Sequence, residues 1–145
     1  MPADLIFSIE VAVGALLALV GAYVLATVLR RRAIARGKLL AMCAYQRPGS
    51  HAWRQGYVRF GEGDVEWYPL GGLSLRPRHI WARRTLDIGA PVAIPPGELD
   101  LIPDAVCVPC RASGKVFQLG LARTAYTALR SWVEAAPPSS ASAVN

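Results

Sequence analysis

The residues whose spacing is most specific for chemistry are Cys107 and Cys110, in the segment Cys-Val-Pro-Cys. A C-x-x-C pair can work as a redox dithiol when a helix N-terminus lowers the pKa of one thiol. Here we expect the motif at a strand end before a turn, with no helix after it. As a metal site the pair supplies two ligands, whereas a structural zinc ion takes about four. We therefore interpret both thiols as structural and keep a redox or metal role as the less favoured alternative.

The other residues that could do chemistry do not form a recognisable site. Cys43, His51 and His79 have no known zinc-ligand spacing, and neither histidine lies in a catalytic motif. The glycine pairs at 61–63 and 71–72 lack the strand-to-helix context of a phosphate-binding loop, so we interpret them as turns. The sequence therefore predicts a protein that is not an enzyme, with no catalytic residue, no metal and no cofactor.

Before these residues, the chain has an apolar segment near its N-terminus. Residues 11–29 are nineteen consecutive residues without a charge. As a helix they span roughly 28 Å, close to the hydrocarbon thickness of a bilayer. A cleaved signal peptide fits poorly, because Asp4 is the only charge among the first nine residues and a basic block, not a small-residue cleavage site, follows the run. We predict a transmembrane helix over residues 5–29.

A basic block follows the apolar segment. Five cations lie within nine positions that contain no acid: Arg30, Arg31, Arg32, Arg36 and Lys38. We assign residues 30–44 to a basic juxtamembrane segment. Because such residues stay on the cytoplasmic side, we predict a single-pass plasma-membrane protein with its N-terminus outside and its domain in the cytoplasm. We also expect these five side chains to contact anionic lipid headgroups, at about 1 kcal/mol per cation.

Small residues recur at every fourth position of the apolar segment, at Gly14, Ala18, Ala22 and Ala26. They lie on one face of a helix, where small side chains let a second helix approach closely. Such residues are also common in membrane helices generally, and we favour that simpler explanation. Helix pairing, with a second copy or a membrane-protein partner, stays open.

Residues 45–136 have the pattern of a small β domain. Short apolar segments are separated by turn residues and by prolines, and no crossover helix lies between them to support a parallel sheet. We predict an α+β, mainly β fold: an antiparallel sandwich or barrel after the transmembrane helix. The expected strands are at 53–60, 65–70, 73–76, 80–88, 101–108 and 115–121.

One helix is predicted to close the domain, over residues 122–136. Tyr126, Leu129, Trp132 and Val133 lie at the spacing of one buried helical face, with Trp132 as the largest side chain. Two prolines then end the helix. We expect the polar residues 137–145 to form a disordered tail.

Several antiparallel strands closed by a C-terminal helix with a buried tryptophan resemble the pleckstrin-homology-like fold. The sequence is also similar to a family of uncharacterised single-span actinobacterial membrane proteins. The likeness covers residues from about 5 to 137 and implies an architecture but no activity. The segments that carry it are Gly-Tyr-Val-Arg-Phe at 56–60, Val-Glu-Trp at 65–67, Leu-Ser-Leu-Arg-Pro at 73–77 and Ser-Trp-Val-Glu-Ala-Ala-Pro at 131–137.

A second basic cluster consists of Arg76, Arg78, Arg83 and Arg84. It is a candidate anionic surface site, although arginines at such spacing can also be the solvated face of a strand. We expect a non-catalytic adaptor that presents a pleckstrin-homology-like domain to a membrane-protein partner. The alternative is a module that binds anionic lipid at the inner face of the membrane. Nucleic acid is not expected as a partner, because the chain has no recognised nucleic-acid-binding motif.

Overall fold

The computed structural model describes residues 2–136. The chain divides into two compact units, and the boundary between them along the sequence lies between Arg36 and Gly37. The predicted tail at 137–145 lies outside the described residues.

The first unit is a single helix, α1, at Pro2–Ala35. It includes the predicted segment 5–29 and continues through the first three arginines of the basic block. Arg36 and Gly37 adopt left-handed backbone angles, with φ of 41° and 74°, which end the helix. Within the described residues α1 is the one helix long and apolar enough to cross a membrane. Its large apolar side chains between Leu5 and Leu29 are exposed.

The second unit is one eight-stranded antiparallel sheet followed by a helix. The elements are β1 Leu40–Gln46, β2 Trp53–Phe60, β3 Asp64–Pro69, β4 His79–Ala82, β5 Leu86–Ile88, β6 Val92–Ala93, β7 Ala105–Ala112, β8 Lys115–Ala122 and α2 Arg123–Glu134.

The strands form a sheet that closes on itself. Their order is β4-β3-β2-β1-β8-β7-β5, and β6 also pairs with β7. The sheet curls into a nearly closed barrel, because the ring of Trp81 on β4 stacks on that of Phe117 on β8 with centroids 4.5 Å apart. The predicted α+β, mainly β fold is confirmed.

The barrel core follows the two-residue period of its strands. On β7, for example, Val106, Val108, Cys110 and Ala112 are buried, and the residues between them are exposed or half-buried. The core also contains Val58, Val65, Trp67 and Leu119 from neighbouring strands, and α2 adds Tyr126 and Leu129.

The first strand was missed by the sequence analysis. β1 lies at the centre of the sheet, between β2 and β8, and residue 45, where we expected the domain to begin, falls inside it. Its sequence, Leu-Ala-Met-Cys-Ala-Tyr-Gln, contains no β-branched residue and several good helix formers. The conformation of β1 is therefore determined by pairing with two neighbouring strands and not by local propensity.

The region between β3 and β7 also differs from the prediction. The strand expected at 73–76 is wrong: these residues form an exposed, irregular connection after Gly72, whose φ is 87°. The single strand expected at 80–88 is two strands, since a turn closed by the Thr85 N–H and the Ala82 carbonyl separates β4 from β5. β4 pairs with β3 and β5 with β7, so the chain crosses here from one sheet edge to the other.

The strand expected at 101–108 begins only at Ala105. The residues before it form turns, and Leu99 and Ile102 from this stretch are buried against Ala44 on the outer face of the sheet. These apolar residues therefore form a second, smaller core and do not extend β7.

Gly56 on β2 is required by close packing. A Cβ there would clash with the Tyr68 carbonyl oxygen and lie 2.8 Å from the indole of Trp67, whose Nε1 donates to the Cys43 carbonyl at 3.2 Å. We expect Gly56→Ala to lower the free energy of unfolding by about 1–3 kcal/mol through overpacking. Urea unfolding of the full chain in detergent micelles, followed by tryptophan fluorescence, measures this.

Gly63→Ala is the matched control, because no atom lies within 4 Å of a Cβ at that position. It should leave the unfolding midpoint nearly unchanged. Equal midpoints for the two variants would contradict the packing role assigned to Gly56.

Candidate functional site

The two cysteines of the C-x-x-C motif lie on opposite faces of β7. Cys110 points into the core and is 2% exposed, whereas Cys107 is half-buried on the outer face, with its Sγ 3.1 Å from Gln118 Oε1. Residues three apart in a strand face in opposite directions, so the two thiols are not placed to form a dithiol site. The geometry favours the structural interpretation of these residues.

Burial also makes the thiols less reactive. It raises the pKa of Cys110 to about 12, with smaller contributions from Cys107 and Asp87. Burial raises the pKa of Cys43 further, and Cys110 adds to that shift. For Cys107, burial and then Glu98 raise the pKa. With these raised pKa values the thiols are protonated at neutral pH. Because the thiolate is the form that acts as nucleophile and metal ligand, the protonated thiols behave as small apolar side chains.

The residues of the second basic cluster form two separate pairs, one before β4 and one after it. Arg78 precedes β4 and Arg83 follows it, which places them roughly 16 Å apart along the strand. Arg83 is half-buried with its guanidinium 4.7 Å from the ring centroid of Trp132, and its Nη1 donates to the Glu62 carbonyl at 3.4 Å. Arg83 therefore ties the β4–β5 turn to α2 and to the β2–β3 turn. Arg76, Arg78 and Arg84 are exposed.

The other predicted site residues lie in α1 and in the connection after it. The small residues Gly14, Ala18, Ala22 and Ala26 share one face of the helix by their four-residue spacing. Of the cations, Arg30, Arg31 and Arg32 lie in the last turns of α1, and Arg36 and Lys38 are exposed in the following connection. Their contacts with lipid or with a second helix stay predictions.

A cleft runs between β4 and the β7–β8 hairpin. It encloses about 410 Å³, within the range of roughly 300–1,000 Å³ typical of ligand sites. Tyr45, Trp81 and Phe117 are its buried walls. The remaining lining residues are Pro48, His79, Ile80, Ala82, Ala112, Ser113, Lys115 and Val116.

Stacked rings shape this cleft. The imidazole of His79 lies 4.3 Å from the Tyr45 ring, centroid to centroid, and 5.6 Å from that of Trp81 at an interplanar angle of 3°. Trp81 in turn stacks on Phe117 at 12°. Offset and stacked aromatic pairs of this kind stabilise one another by about 0.5–1.5 kcal/mol beyond the area they bury. The rings therefore give the cleft fixed walls.

The potential at the cleft is positive. Burial lowers the pKa of His79, and four cations lower it further: Arg78, Arg47, Arg54 and Lys115, in that order. All four side chains are exposed. They come from different parts of the sequence, and the curled sheet brings all four within electrostatic reach of one histidine, with Lys115 lining the cleft itself. We call these four residues the cationic rim; it attracts an anionic group and repels a cation.

Sequence reasoning found one of the four rim residues, Arg78. Arg47, Arg54 and Lys115 were missed because each is an isolated cation in the sequence, next to a turn or at a strand end. No local pattern marks them. Only the closure of the barrel, which brings β1, β2, β4 and β8 together, makes them neighbours of His79.

The lowered pKa of His79, caused first by burial and then by the rim, predicts a pH-dependent stability. Because the pKa of His79 is lowered in the folded state, the unfolded chain binds this proton first as the pH falls below about 6.5. Folding is therefore penalised below that pH, the loss is complete once the pH is below the folded-state pKa, and no penalty applies at pH 8. We expect His79→Gln to lose less unfolding free energy than the wild type between pH 8 and pH 5, in urea titrations of the full chain. Equal losses would contradict the assignment.

Thiol reactivity tests the cysteine geometry. In the native chain we expect a disulfide-exchange reagent such as dithionitrobenzoate to react slowly with Cys107 alone, since Cys43 and Cys110 are buried. All three thiols should react once the chain is unfolded in guanidinium chloride. Cys107→Ser is the control and should abolish the native phase. A disulfide between Cys107 and Cys110, detected by mass spectrometry, would refute the opposite-face arrangement.

Comparison with known proteins places these features in a family. The model of the family described as "Protein of unknown function (DUF2550)" matches residues 17–139, from within α1 to beyond α2. Two uncharacterised proteins from two strains of Mycobacterium tuberculosis are each 31% identical to this chain over 94 residues. The match covers 61% of this chain and 64% of each relative, so the chain spans less than two thirds of the relatives' length. Since the family model covers most of the chain, the protein belongs to the DUF2550 family of proteins of unknown function.

Proposed function

We propose that this protein is a non-catalytic membrane adaptor, anchored by α1, whose barrel binds an anionic segment of a membrane-protein partner. The observation that carries this proposal is the cleft between β4 and the β7–β8 hairpin. It combines aromatic walls, Tyr45, Trp81 and Phe117, with the surrounding cationic rim. Apolar walls with a few polar groups at the margin are what a ligand-binding site requires.

The exposed apolar surface of α1 supports the anchor. Leu16, Leu17 and Leu19 are each more than 60% exposed. Contact of this apolar surface with water costs free energy, whereas its contact with hydrocarbon does not. The exposed cations Arg31, Arg32, Arg36 and Lys38 all follow the apolar segment. Their position supports a cytoplasmic location for the barrel, at the inner face of the plasma membrane.

The resemblance to pleckstrin-homology-like domains supports a binding role. An antiparallel barrel followed by α2, with Trp132 donating from Nε1 to the Gly61 carbonyl at 2.8 Å, is compatible with that fold. The lysine- and arginine-rich loop that binds inositol phosphates in such domains has no counterpart after β2, where Glu62 lies in the turn and Asp64 begins β3. The proposal therefore names a protein segment, not an inositol phosphate, as the partner.

The lining of the cleft supports binding over catalysis. Acid–base mechanisms use pairs of groups whose pKa values are tuned apart. The described residues that line this cleft include Tyr45, His79, Ser113 and Lys115 but no carboxylate and no thiol, so no acid is present to pair with the imidazole. The ring of His79 is held in an aromatic stack, so its contribution is shape and electrostatics.

A second candidate function is the binding of anionic lipid. The connection between β3 and β4 exposes Leu73 and Leu75 beside the exposed Arg76 and Arg78. Apolar side chains next to cations are suited to the interface of an anionic bilayer. Binding by exposed arginines fades with ionic strength, whereas an interface that also buries apolar surface is less salt-sensitive.

Crosslinking in cells distinguishes the two functions. A photo-crosslinking residue replaces Val116, which lines the cleft, or Thr127, which is exposed on α2 and serves as the control. We expect a discrete protein adduct from position 116 in the membrane fraction. It should be absent from position 127 and lost when Arg78 and Lys115 are both changed to Glu. Adducts with lipid alone at position 116, or the same protein adducts from both positions, would refute the adaptor.

A further inference from the structure

We infer that the partner segment binds as an extended β-strand along the free edge of β4, with acidic side chains over the cationic rim. The inference rests on the proposed function and adds to it the conformation of the ligand and the strand to which it pairs. Three features of the cleft carry it: the edge, the alternation of side chains and the sign of the charge.

The edge of the sheet provides the backbone partners. Among the described residues, 2–136, β4 is the terminal strand of the sheet and pairs with β3 on one side. All four of its residues, His79–Ala82, line the cleft, so the open space follows the strand along roughly 13 Å. An edge strand presents N–H and C=O groups that pair readily with an added strand. The cleft therefore has the length and the backbone chemistry for an extended peptide of about four residues.

The side chains of β4 alternate in a way that suits a peptide. Trp81 is buried and faces the aromatic stack with His79, while Ile80 faces outward and is 57% exposed. Across the cleft, Val116 is 49% exposed. An apolar side chain of an added strand would cover both, and apolar cross-strand pairs of this type stabilise a sheet. A soluble anion would leave Ile80 and Val116 exposed, so the apolar pair favours a peptide.

The rim sets the charge of the peptide. Arg78 adjoins one end of β4, and Lys115 lies on the facing hairpin and lines the cleft. Arg47 and Arg54 add to the same positive potential at His79. Acidic side chains complement this rim and basic ones are repelled, which gives specificity as well as faster association. A peptide with alternating apolar and acidic residues matches both the pleat of β4 and the charge of the rim.

The test uses the full chain in nanodiscs of neutral lipid. The probe is the acetylated, fluorescently labelled hexapeptide Val-Glu-Val-Asp-Val-Glu, and the control peptide carries Lys at the three acidic positions. Anisotropy gives the Kd, and amide hydrogen exchange reports whether β4 is paired. We expect the acidic peptide alone to bind and to slow exchange of the β4 amides by roughly tenfold or more, because new backbone hydrogen bonds protect them.

Substitutions assign the contacts. Lys115→Glu and Ile80→Ser should each raise the Kd by roughly tenfold, since one reverses a rim charge and the other removes apolar cover. Arg123→Glu is the charge-matched control: Arg123 is exposed, pairs with Asp104 at 3.4 Å and lies outside the cleft. The Kd of this variant should stay within about twofold of the wild-type value, because an exposed ion pair outside the cleft contributes little. Tryptophan fluorescence checks that each variant is folded.

The outcomes separate this inference from the proposed function. Absence of peptide binding, or binding that leaves β4 exchange unchanged, overturns the strand inference. If the photo-crosslinking residue at position 116 still captures a protein in cells, the adaptor function stands without the strand inference. Nanodiscs of anionic lipid can also be added as competitors at a fixed salt concentration. If they displace the peptide and nanodiscs of neutral lipid do not, the inference is overturned and a lipid headgroup is favoured as the ligand.

Discussion

The stacking of Trp81 on Phe117, with ring centroids 4.5 Å apart, joins β4 to β8 although β3, β2 and β1 lie between them in the sheet. A flat sheet would keep these strands well over 10 Å apart, at about 4.8 Å per strand. The contact therefore requires the sheet to curl and stabilises that curl, and the curled sheet encloses the core. The same contact forms the floor of the cleft, so the fold and the candidate site depend on one interaction.

At another point the barrel is held by α2. Trp132 donates a hydrogen bond to the Gly61 carbonyl, packs against Phe60 with centroids 6.1 Å apart and lies under the guanidinium of Arg83. One side chain thus joins α2, the β2–β3 turn and the β4–β5 turn. Because the β4–β5 turn positions β4, α2 contributes to the shape of the cleft without lining it. Arg83, which the sequence placed in an anionic surface site, has this structural role.

The interior is apolar in character even where its residues are reactive in isolation. Cys43 and Cys110 are buried among aliphatic and aromatic side chains, and burial raises both pKa values. By contrast, the four side chains of the cationic rim are exposed and act electrostatically on the half-buried His79. A rigid apolar interior with charge at one opening suits recognition, since the walls need not reorganise when a ligand binds.

The sequence by itself determined the elements whose signals are local. The uncharged run predicts α1, the short apolar segments between turn residues predict β2 and most of β8, and the buried face through Tyr126 and Leu129 predicts α2. Each pattern arises within a single element, so no knowledge of its neighbours is needed. The mainly β class follows from the many short segments and turns.

Tertiary structure alone decided β1, the division of 80–88 into β4 and β5, and the composition of the site. β1 lacks strand propensity and forms because two strands pair with it. Arg47, Arg54, Arg78 and Lys115 are distant in sequence and meet around His79 because the sheet curls. Curvature and strand order depend on contacts between remote residues, such as Trp81 with Phe117, and such contacts leave no periodic trace in the chain.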